Sequence, residues 1–432
     1  MPIPFLSLRR DAQNPRRGRI AERTLNLGGE AEIRRYAYDS AGRLARVADG
    51  SGGLLESYQY DHEGRRLADI NPQRFRGERR YSYAAGNRLS QAGRVQYGHD
   101  KAGFRNLKIE ATSSGQRETH YHYEPSGLLL RVDLPDGRCI DYAYDAKGQR
   151  TEKRINGRVV EAYRWLDPLR LSEFHDGQRW WRLAYDSERP GHGSRTPVGV
   201  TNSDDSYFLL CDQVGTPVAL ATHDGHVVQT MQYDSFGNLL QVRGDAVRLP
   251  IGFAGGLFDG DTGLTRFVWR DYDADTGRFT ALDPMGAKGG DTDWYGYCVD
   301  DPVNRVDTWG LEDEDAVQVC KRPVQIDNEY LADSVDHYFI KTPRTESGMG
   351  IPGQAAEQGD SVGDLLSPTQ WTDHTGQSQS AKAQCWTVPN VDPQCVDKLA
   401  KPGNDTGRWL PGFNDCRTNV TEVLKFCRTD VK

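Results

Sequence analysis

The chain has 432 residues, with 54 Lys and Arg against 62 Asp and Glu, which gives a formal charge of -8 at pH 7. Hydrophobic residues make up 37% of it and the mean hydropathy is -0.72, values that are low for one large compact core. The acidic balance argues against nucleic acid as the main partner, because phosphate binding needs a basic face. No apolar run reaches the roughly 18 residues of a membrane span or the core of a signal peptide. We therefore predict a soluble chain that is exported by another route.

A short tyrosine-centred unit recurs along the first part of the chain. The segment 36–47, YAYDSAGRLARV, returns as 58–70, YQYDHEGRRLADI, with Asp39 and Asp61 a period of 22 apart. Weaker copies lie at 81–89, 97–104, 121–132, 142–150 and 163–171. Each unit has aromatic residues two positions apart, on one face of a strand, and then an Asp and Gly turn that starts a second strand. One such hairpin cannot bury its aromatic face alone, so neighbouring hairpins must stack.

An ordered set of motifs closes this array over residues 264–311. Its members are Arg270, Tyr272, Asp273, Thr276, Gly277, Arg278, Phe279, Asp283, Pro284, Gly286, Asp307, Gly310 and Leu311. This order resembles the carboxy-terminal end of the core of Rhs and YD-repeat proteins, and the resemblance extends over about 30–311. It implies a mainly β fold in which YD hairpins wind into a spiral sheet around a hollow shell. The alternative is a β-sandwich or propeller rich in Tyr and Gly. Family members usually carry more repeats, so we expect this array to be short for a closed shell.

The composition changes abruptly after Leu311. The last 121 residues, 312–432, hold five of the eight cysteines and begin with an acidic run typical of a solvated linker. We predict four segments: an amino-terminal segment 1–29, a YD shell 30–263, an autoproteolysis region 264–311, and a small α+β toxin domain 312–432.

The Rhs resemblance implies self-cleavage after the final leucine by a pair of aspartates. Mapped onto this chain, the pair is Asp283 and Asp307 and the scissile bond joins Leu311 to Glu312. Two carboxylates in one site can divide the work, one as acid and one activating water. Thr308 stands where the family commonly has proline. The alternative is that both aspartates only cap turns.

The carboxy-terminal segment carries a candidate thiol site. Val420, Val423, Leu424 and Cys427 follow one-face helical spacing, which predicts a helix with Cys416 in its first turn. The amino terminus of a helix favours a thiolate and can stabilise an oxyanion. A strand over VDHYFIKT offers His337 as the base.

The order of a strand histidine followed by N-D-C at a helix start resembles circularly permuted papain-like enzymes, among them NlpC-type peptidases and the lecithin:retinol acyltransferase class. The resemblance implies Cys416 as nucleophile, His337 as base and a polar orienting residue. Glu346 is the first candidate for that third position, with His374 or Asp336 as alternatives.

The cysteine density indicates an oxidising destination such as the periplasm. If Cys320, Cys385, Cys395 and Cys427 form two bridges, Cys416 keeps its thiol; a Cys385–Cys395 loop is one possible pairing. Cys416 could instead lie in a disulfide. The spacings lack a C-x-x-C pair, which argues against a zinc site, and we predict no metal or cofactor.

Together these features predict a secreted Rhs effector of interbacterial competition that releases a cysteine-dependent toxin, a peptidoglycan amidase or peptidase acting in the target periplasm. Expected partners are a cognate immunity protein, spike proteins of a type VI secretion apparatus, and peptidoglycan or another acyl substrate, with no nucleic acid. One alternative is a thiol acyltransferase, lipase or protein-modifying protease. Another is a non-enzymatic surface or adhesion module with a disulfide-knit binding domain.

Overall fold

A computed structural model describes residues 5–10, 19–29, 31–186, 195–284, 293–311, 317–323, 336–342, 345–350, 368–375, 377–379, 383–388, 391, 393–408 and 416–427. The chain divides into two compact units; of the described residues, 5–10 and 20–311 belong to the first and 317–427 to the second.

The first unit is built on a sheet of 22 antiparallel strands. They are β1 (Phe5–Arg10), β2 (Ile20–Asn26), β3 (Glu32–Tyr38), β4 (Leu44–Asp49), β5 (Leu54–Tyr60), β6 (Arg66–Ile70), β7 (Glu78–Ala84), β8 (Arg88–Ala92), β9 (Val95–His99), β10 (Arg105–Thr112), β11 (Gly115–Tyr123), β12 (Leu129–Asp133), β13 (Cys139–Tyr144), β14 (Arg150–Ile155), β15 (Arg158–Trp165), β16 (Leu171–His175), β17 (Trp180–Tyr185), β18 (Pro197–Thr201), β19 (Ser206–Cys211), β20 (Pro217–Ala221), β21 (Val227–Tyr233) and β22 (Leu239–Arg243). Each strand pairs with the next one along the chain. The predicted mainly β hairpin array is therefore confirmed.

The repeated residues account for the hairpin geometry. Asp39 Oδ1 accepts a 2.9 Å hydrogen bond from the Arg43 amide, and its Oδ2 lies 2.7 Å from Arg43 Nε. Asp61 makes the same two bonds with Arg65. Gly42, at φ 86°, supplies the left-handed conformation that the turn requires. The tyrosine two positions after the buried one donates its hydroxyl to the neighbouring hairpin, as Tyr60 does to the Leu44 carbonyl at 2.8 Å. The motif thus sets both the turn and the stacking.

The sheet begins earlier than predicted. Strands β1 and β2 lie inside the segment 1–29, which the sequence analysis separated from the shell, and β2 pairs with β3. In β2, Ile20 is buried and Leu25 packs inward. The tyrosine motif is absent from these strands, so repeat counting did not find them.

The segment that follows β22 packs against the sheet. It forms a small antiparallel sheet of β23 (Leu257–Asp259), β24 (Leu264–Arg266), β25 (Asp271–Asp273) and β26 (Arg278–Phe279). Four of its aspartates pair with cations from strands β14, β10 and β7 of the large sheet: Asp259 with Lys153, Asp271 with Arg150, Asp273 with Arg105, and Asp275 with Arg79. Buried charges need such partners, so these pairs fix the register of the closing segment on the sheet.

The described part of the second unit is a six-stranded antiparallel sheet with two helices. Its elements are β27 (Val317–Pro323), β28 (Asp336–Lys341), β29 (Glu346–Gly350), β30 (Pro368–Asp373), β31 (Gln384–Val388), α1 (Pro393–Leu399), β32 (Asp405–Arg408) and α2 (Cys416–Phe426). The strand order is β31-β27-β28-β29-β30-β32. Helix α2 begins at Cys416 and buries Val420 and Val423, as the helical spacing predicted. Among the described residues, no helix has the length and apolar character to span a membrane.

Two disulfides join elements of the second unit. Cys320 of β27 is bonded to Cys385 of β31, and Cys395 of α1 is bonded to Cys427 at the end of α2. The four bridged cysteines are those predicted, and Cys416 lies outside both bonds. The local Cys385–Cys395 pairing is not formed, because Cys385 lies directly opposite Cys320 in the strand register.

Candidate functional site

The structure brings Asp283 and Asp307 together around one arginine. Arg270 Nη2 lies 2.8 Å from Oδ2 of Asp283 and 3.4 Å from Oδ2 of Asp307. Little of these side chains is exposed: 4% for Arg270, 8% for Asp283 and 4% for Asp307. The Arg270 guanidinium also packs over the Phe279 ring at 3.7 Å. A buried cation that contacts two carboxylates balances the charge of one of them, so Arg270 joins the predicted aspartate pair as a third member.

The turn that ends at Leu311 is attached to this cluster. Arg270 Nε donates to the Gly310 carbonyl, and the Leu311 amide donates to Asp307 Oδ1 at 3.0 Å. The Trp269 amide donates to the Trp309 carbonyl at 2.9 Å. The predicted residues Asp283, Asp307 and Leu311 are therefore neighbours, whereas Glu312 lies outside the described residues.

Gly310 is required by the shape of the turn. Its φ is 69°, in the left-handed region. A Cβ atom at this position would lie 3.1 Å from the Arg270 amide nitrogen and 3.3 Å from Phe267 Cβ. A side chain at position 310 would therefore crowd the backbone at Arg270, the residue just before β25.

A second group of candidate side chains lies on one face of the sheet of the second unit. His337 of β28 and His374, which follows β30, have their Nε2 atoms 2.8 Å apart. Their rings stack with centroids at 4.9 Å. His374 Nδ1 lies 3.1 Å from the Thr372 carbonyl oxygen. Since a carbonyl only accepts, this contact assigns the proton of His374 to Nδ1, so its Nε2 accepts from His337 Nε2–H. The remaining nitrogen of His337, Nδ1, is then the basic one.

Glu346 has a different partner from the one predicted. The Ser378 amide donates to Glu346 Oε2 at 3.1 Å, and the Ser378 hydroxyl donates to Oε1. The Glu346 carbonyl accepts from the His374 amide at 2.7 Å. Of the three candidates for orienting His337, the contacts above belong to His374; Glu346 holds the backbone that carries it. The side chain of Asp336 lies outside the described residues.

Cys416 meets strand β28 in the plane of the sheet. Its Sγ accepts a hydrogen bond from the Tyr338 amide at 3.4 Å. The Thr342 amide bonds to the Thr345 carbonyl across the β28–β29 hairpin, and ladder alternation from that pair points the Tyr338 N–H toward β29. The described register of β28 with β29 ends at Phe339 opposite Gly348. The thiol therefore occupies the space where the two strands separate, beside the residue that follows His337.

Gly348 leaves room for both imidazoles at this place. A Cβ atom there would lie 2.8 Å from His374 Nε2 and 2.9 Å from His337 Nε2. The side chain of His337 points to the face that carries Phe339, and Tyr338 to the opposite face, where α2 packs. Thiol and imidazole thus approach the β28–β29 gap from different sides.

No metal centre is found within the part of the chain that the structure describes, where no three His, Cys, Asp or Glu side chains cluster in a way that could hold an ion. Arg270 was expected only as a motif residue, without a role of its own. Its 3.4 Å contact with Asp307 spans 37 residues of sequence and has no local signal, although its place in the R-x-Y-D motif marks it.

Comparisons with known proteins agree with the repeat architecture. The family model of the Teneurin YD-shell matches residues 7–289. Teneurin-3 of Danio rerio is 30% identical over 274 residues, which are 62% of this chain and 10% of that protein. A protein of Dickeya dadantii (strain 3937) described as probable deoxyribonuclease RhsB is 30% identical over 313 residues, 65% of this chain and 21% of its own length. The chain thus spans about a tenth to a fifth of these relatives.

A solved structure is also similar to this chain. The match to the crystal structure of TcdB2-TccC3-Cdc42 covers 71% of this chain and 18% of the chain in that structure, with 13% sequence identity and a TM-score of 0.38.

Proposed function

Because this chain belongs to the Teneurin YD-shell family, we propose that its first unit is the closing part of a YD shell and that the whole protein is a secreted effector of the Rhs kind. The described relatives include a bacterial protein named as a probable deoxyribonuclease, which supports a toxin role for a shell of this type. In the proposal, the second unit is the toxin, and a cut after Leu311 separates the two. Delivery by a type VI apparatus and neutralisation by a cognate immunity protein belong to the same proposal.

The observation that carries the proposed self-cleavage is the attachment of the Leu311 turn to the Arg270 cluster. One carboxylate takes a proton from water, whose oxygen adds to the Leu311 carbonyl carbon. The bond to the nitrogen of residue 312 breaks as that nitrogen gains a proton from the other carboxyl group, which leaves a carboxylate on Leu311 and a new amine. Asp307 holds the Leu311 amide, and the Arg270 cation offsets charge that builds up nearby.

Self-cleavage is tested by synthesising the full chain in a cell-free system and following it on denaturing gels, with mass spectrometry of the products. We expect two fragments that meet at Leu311, and loss of cleavage in Asp283→Asn and Asp307→Asn. Asp259→Asn is the matched control, because it removes one carboxylate from a buried ion pair with Lys153 in the same closing segment. A full-length band that persists in the unmodified chain contradicts the proposal.

For the second unit we propose acyl transfer by a thiol, with Cys416 as nucleophile, His337 as base and His374 as the residue that orients His337. The thiol lies at the start of α2, where helix N–H groups favour an anion. With His337 Nε2–H donating to His374, Nδ1 of His337 is the nitrogen proposed to take the thiol proton. The thiolate then attacks an acyl carbon, the leaving group departs with that proton, and water hydrolyses the thioester.

A bond in peptidoglycan peptide is the proposed target, since two disulfides suit the oxidising periplasm. Residues 312–432 are expressed in the cytoplasm or directed to the periplasm, and purified cell wall is digested with the product and analysed by mass spectrometry. We expect growth arrest on periplasmic expression, abolished by Cys416→Ala and His337→Ala and retained in Glu422→Ala, an exposed position of α2.

The outcomes of this experiment separate the alternatives. Growth arrest without new wall fragments favours a lipid or protein acyl substrate. Growth arrest that survives Cys416→Ala contradicts the thiol mechanism and leaves another chemistry, a nuclease among them. A fragment harmless in both compartments favours a non-enzymatic binding domain.

A further inference from the structure

The side chain of Thr308 is held by a residue far away in the sequence. Arg195 Nη1 donates to Thr308 Oγ1 at 2.7 Å across 113 residues. The neighbouring positions of the turn are held from within the closing segment, Asp307 and Gly310 by Arg270 and Trp309 by the Trp269 amide. Arg195 therefore links the sheet side of the fold to the middle of the turn that carries Leu311.

The surroundings of Thr308 leave that side chain loosely packed. Thr308 and Arg195 line a cavity of about 60 Å³, shared with Arg150, Arg266 and Phe267. A volume of this size holds about two water molecules. Because there is open space beside Thr308, close packing does not fix the orientation of its side chain. The hydrogen bond from a charged donor, which is stronger than one between neutral groups, does so instead.

We propose that Arg195 is a positioning residue for self-cleavage and that it acts through Thr308. This inference rests on the proposed cut after Leu311. Thr308 stands where the resembled family commonly has proline, whose ring fixes φ near -65°. Threonine lacks that restraint on the backbone. The hydrogen bond from Arg195 supplies a restraint through the Thr308 side chain instead. It keeps the peptide between Asp307 and Gly310 in the orientation that presents the Leu311 carbonyl.

The size of the effect follows from the type of bond. A hydrogen bond to a charged group contributes enough to change a rate by about 10-fold when it is needed to hold the reacting geometry. We expect Arg195→Ala to lengthen the half-time of self-cleavage by about 10-fold. Thr308→Val, which keeps the branched shape and removes the hydroxyl, slows cleavage by a similar factor. If Arg195 acts through Thr308, the double variant is no slower than either single one.

The experiment measures cleavage half-times of the full chain after a pulse of cell-free synthesis, for both single variants, the double variant and Arg195→Lys. Arg179→Ala, which removes an exposed ion pair with Asp205, is the matched control and cleaves at the unmodified rate. Arg195→Lys, which keeps a charged donor, recovers part of the rate. Thermal unfolding of each variant, in an Asp283→Asn background that stops the cut, shows whether the first unit is folded.

Each outcome bears on one of the two proposals. If the unmodified chain is not cut at Leu311, the self-cleavage proposal is wrong and the role of Arg195 falls with it. If the unmodified chain is cut and Arg195→Ala is cut as fast, only the inference about Arg195 is overturned. Slowing that adds in the double variant also overturns it, because Arg195 would then act by a route that does not include Thr308.

Discussion

The amide nitrogen of Leu311 donates a 3.0 Å hydrogen bond to Oδ1 of Asp307. The carboxylate at the start of the turn thus holds the residue whose carbonyl is the proposed point of attack. Its other oxygen, Oδ2, lies 3.4 Å from Arg270 Nη2. One side chain therefore couples the conformation of the turn to the charge of the buried cluster, and changes to either are expected to affect both stability and cleavage.

Replacing Arg270 with Gln leaves Asp283 and Asp307 buried without their cation. We expect loss of cleavage at Leu311 and a free energy of unfolding lowered by about 3–5 kcal/mol, the usual effect of removing one partner of a buried ion pair. Arg270→Lys keeps the charge but lacks the planar fork that reaches the Gly310 carbonyl. The Arg270→Lys variant is therefore expected to regain more of the lost free energy of unfolding than of the lost cleavage rate. Denaturant unfolding and the gel assay measure the two effects, and cleavage at the normal rate in Arg270→Gln argues against a role for this cluster.

Gly310→Ala places a Cβ atom in the left-handed region and against the Arg270 backbone. We expect it to slow cleavage at least 10-fold and to lower the free energy of unfolding by more than about 1 kcal/mol. Gly263→Ala is a matched control, since Gly263 has a similar φ of 73° and no atom within 4 Å of the added Cβ. The control pays the conformational cost alone. Equal effects of the two substitutions on cleavage would show that only backbone strain matters.

Gly348→Ala tests the histidine pair of the second unit. The added Cβ lies within 3 Å of both Nε2 atoms, so His337 and His374 must separate. We expect loss of the hydrogen bond between the rings, seen as a change in their nitrogen chemical shifts by NMR, and loss of toxicity. Ser347→Ala is the neighbouring control: within the described residues the Ser347 hydroxyl is buried without a hydrogen-bond partner, and its removal is close to neutral.

The disulfides are expected to hold β31 on β27 and to keep α1 and α2 together. They close segments of 65 and 32 residues, and the chain-entropy model gives each about 4 kcal/mol. Replacing both Cys320 and Cys385 with Ala should increase hydrogen exchange of β27 and β31 in the full chain. Cys139→Ala, in the first unit, is the control. Unchanged protection in the double variant would show that the apolar core alone holds the edge strand.

The first unit is expected to lose stability below about pH 6.5 through His99. Burial lowers the pKa of His99 to about 3, and the nearby cations Arg105, Arg88 and Arg278 lower it further. The unfolded chain binds the proton near pH 6.5 and the folded one does not, so stability is complete above that pH and falls as the pH drops toward 3. The loss from pH 7 to pH 5 is about 2 kcal/mol.

The free energy of unfolding of the His99→Gln variant should fall by about 2 kcal/mol less between pH 7 and pH 5 than that of the unmodified chain. Denaturant unfolding at the two pH values measures this difference. His120→Gln removes an exposed histidine and should leave the loss of stability between pH 7 and pH 5 unchanged. A pH dependence that is the same in the two variants contradicts the assignment to His99.

The extent to which the sequence predicts the structure differs among three features: the hairpins, the helix that begins at Cys416, and the proximity of the two aspartates. The YD motif fixes the turn and one stacking contact within a single repeat, so local spacing reveals the sheet. Asp283 and Asp307 became candidates only through a family resemblance, since nothing local to either residue places Arg270 between them. The choice of His374 over Glu346 depends on the pairing of β29 with both β28 and β30, which brings His374 next to His337. That strand pairing is tertiary and has no signature in residue spacing, and the same is true of the disulfide partners.

In the 22-stranded sheet every strand pairs with the one synthesised just before it. The sheet can therefore grow in the order in which the chain leaves the ribosome, without waiting for distant partners. The turn at Leu311 has the opposite requirement. Its contacts join Arg195 to Thr308 and Arg270 to Asp307, so they form only after the last residues of the closing segment have docked. The proposed cut at Leu311 depends on this turn, so it would take place only in a chain that has already folded.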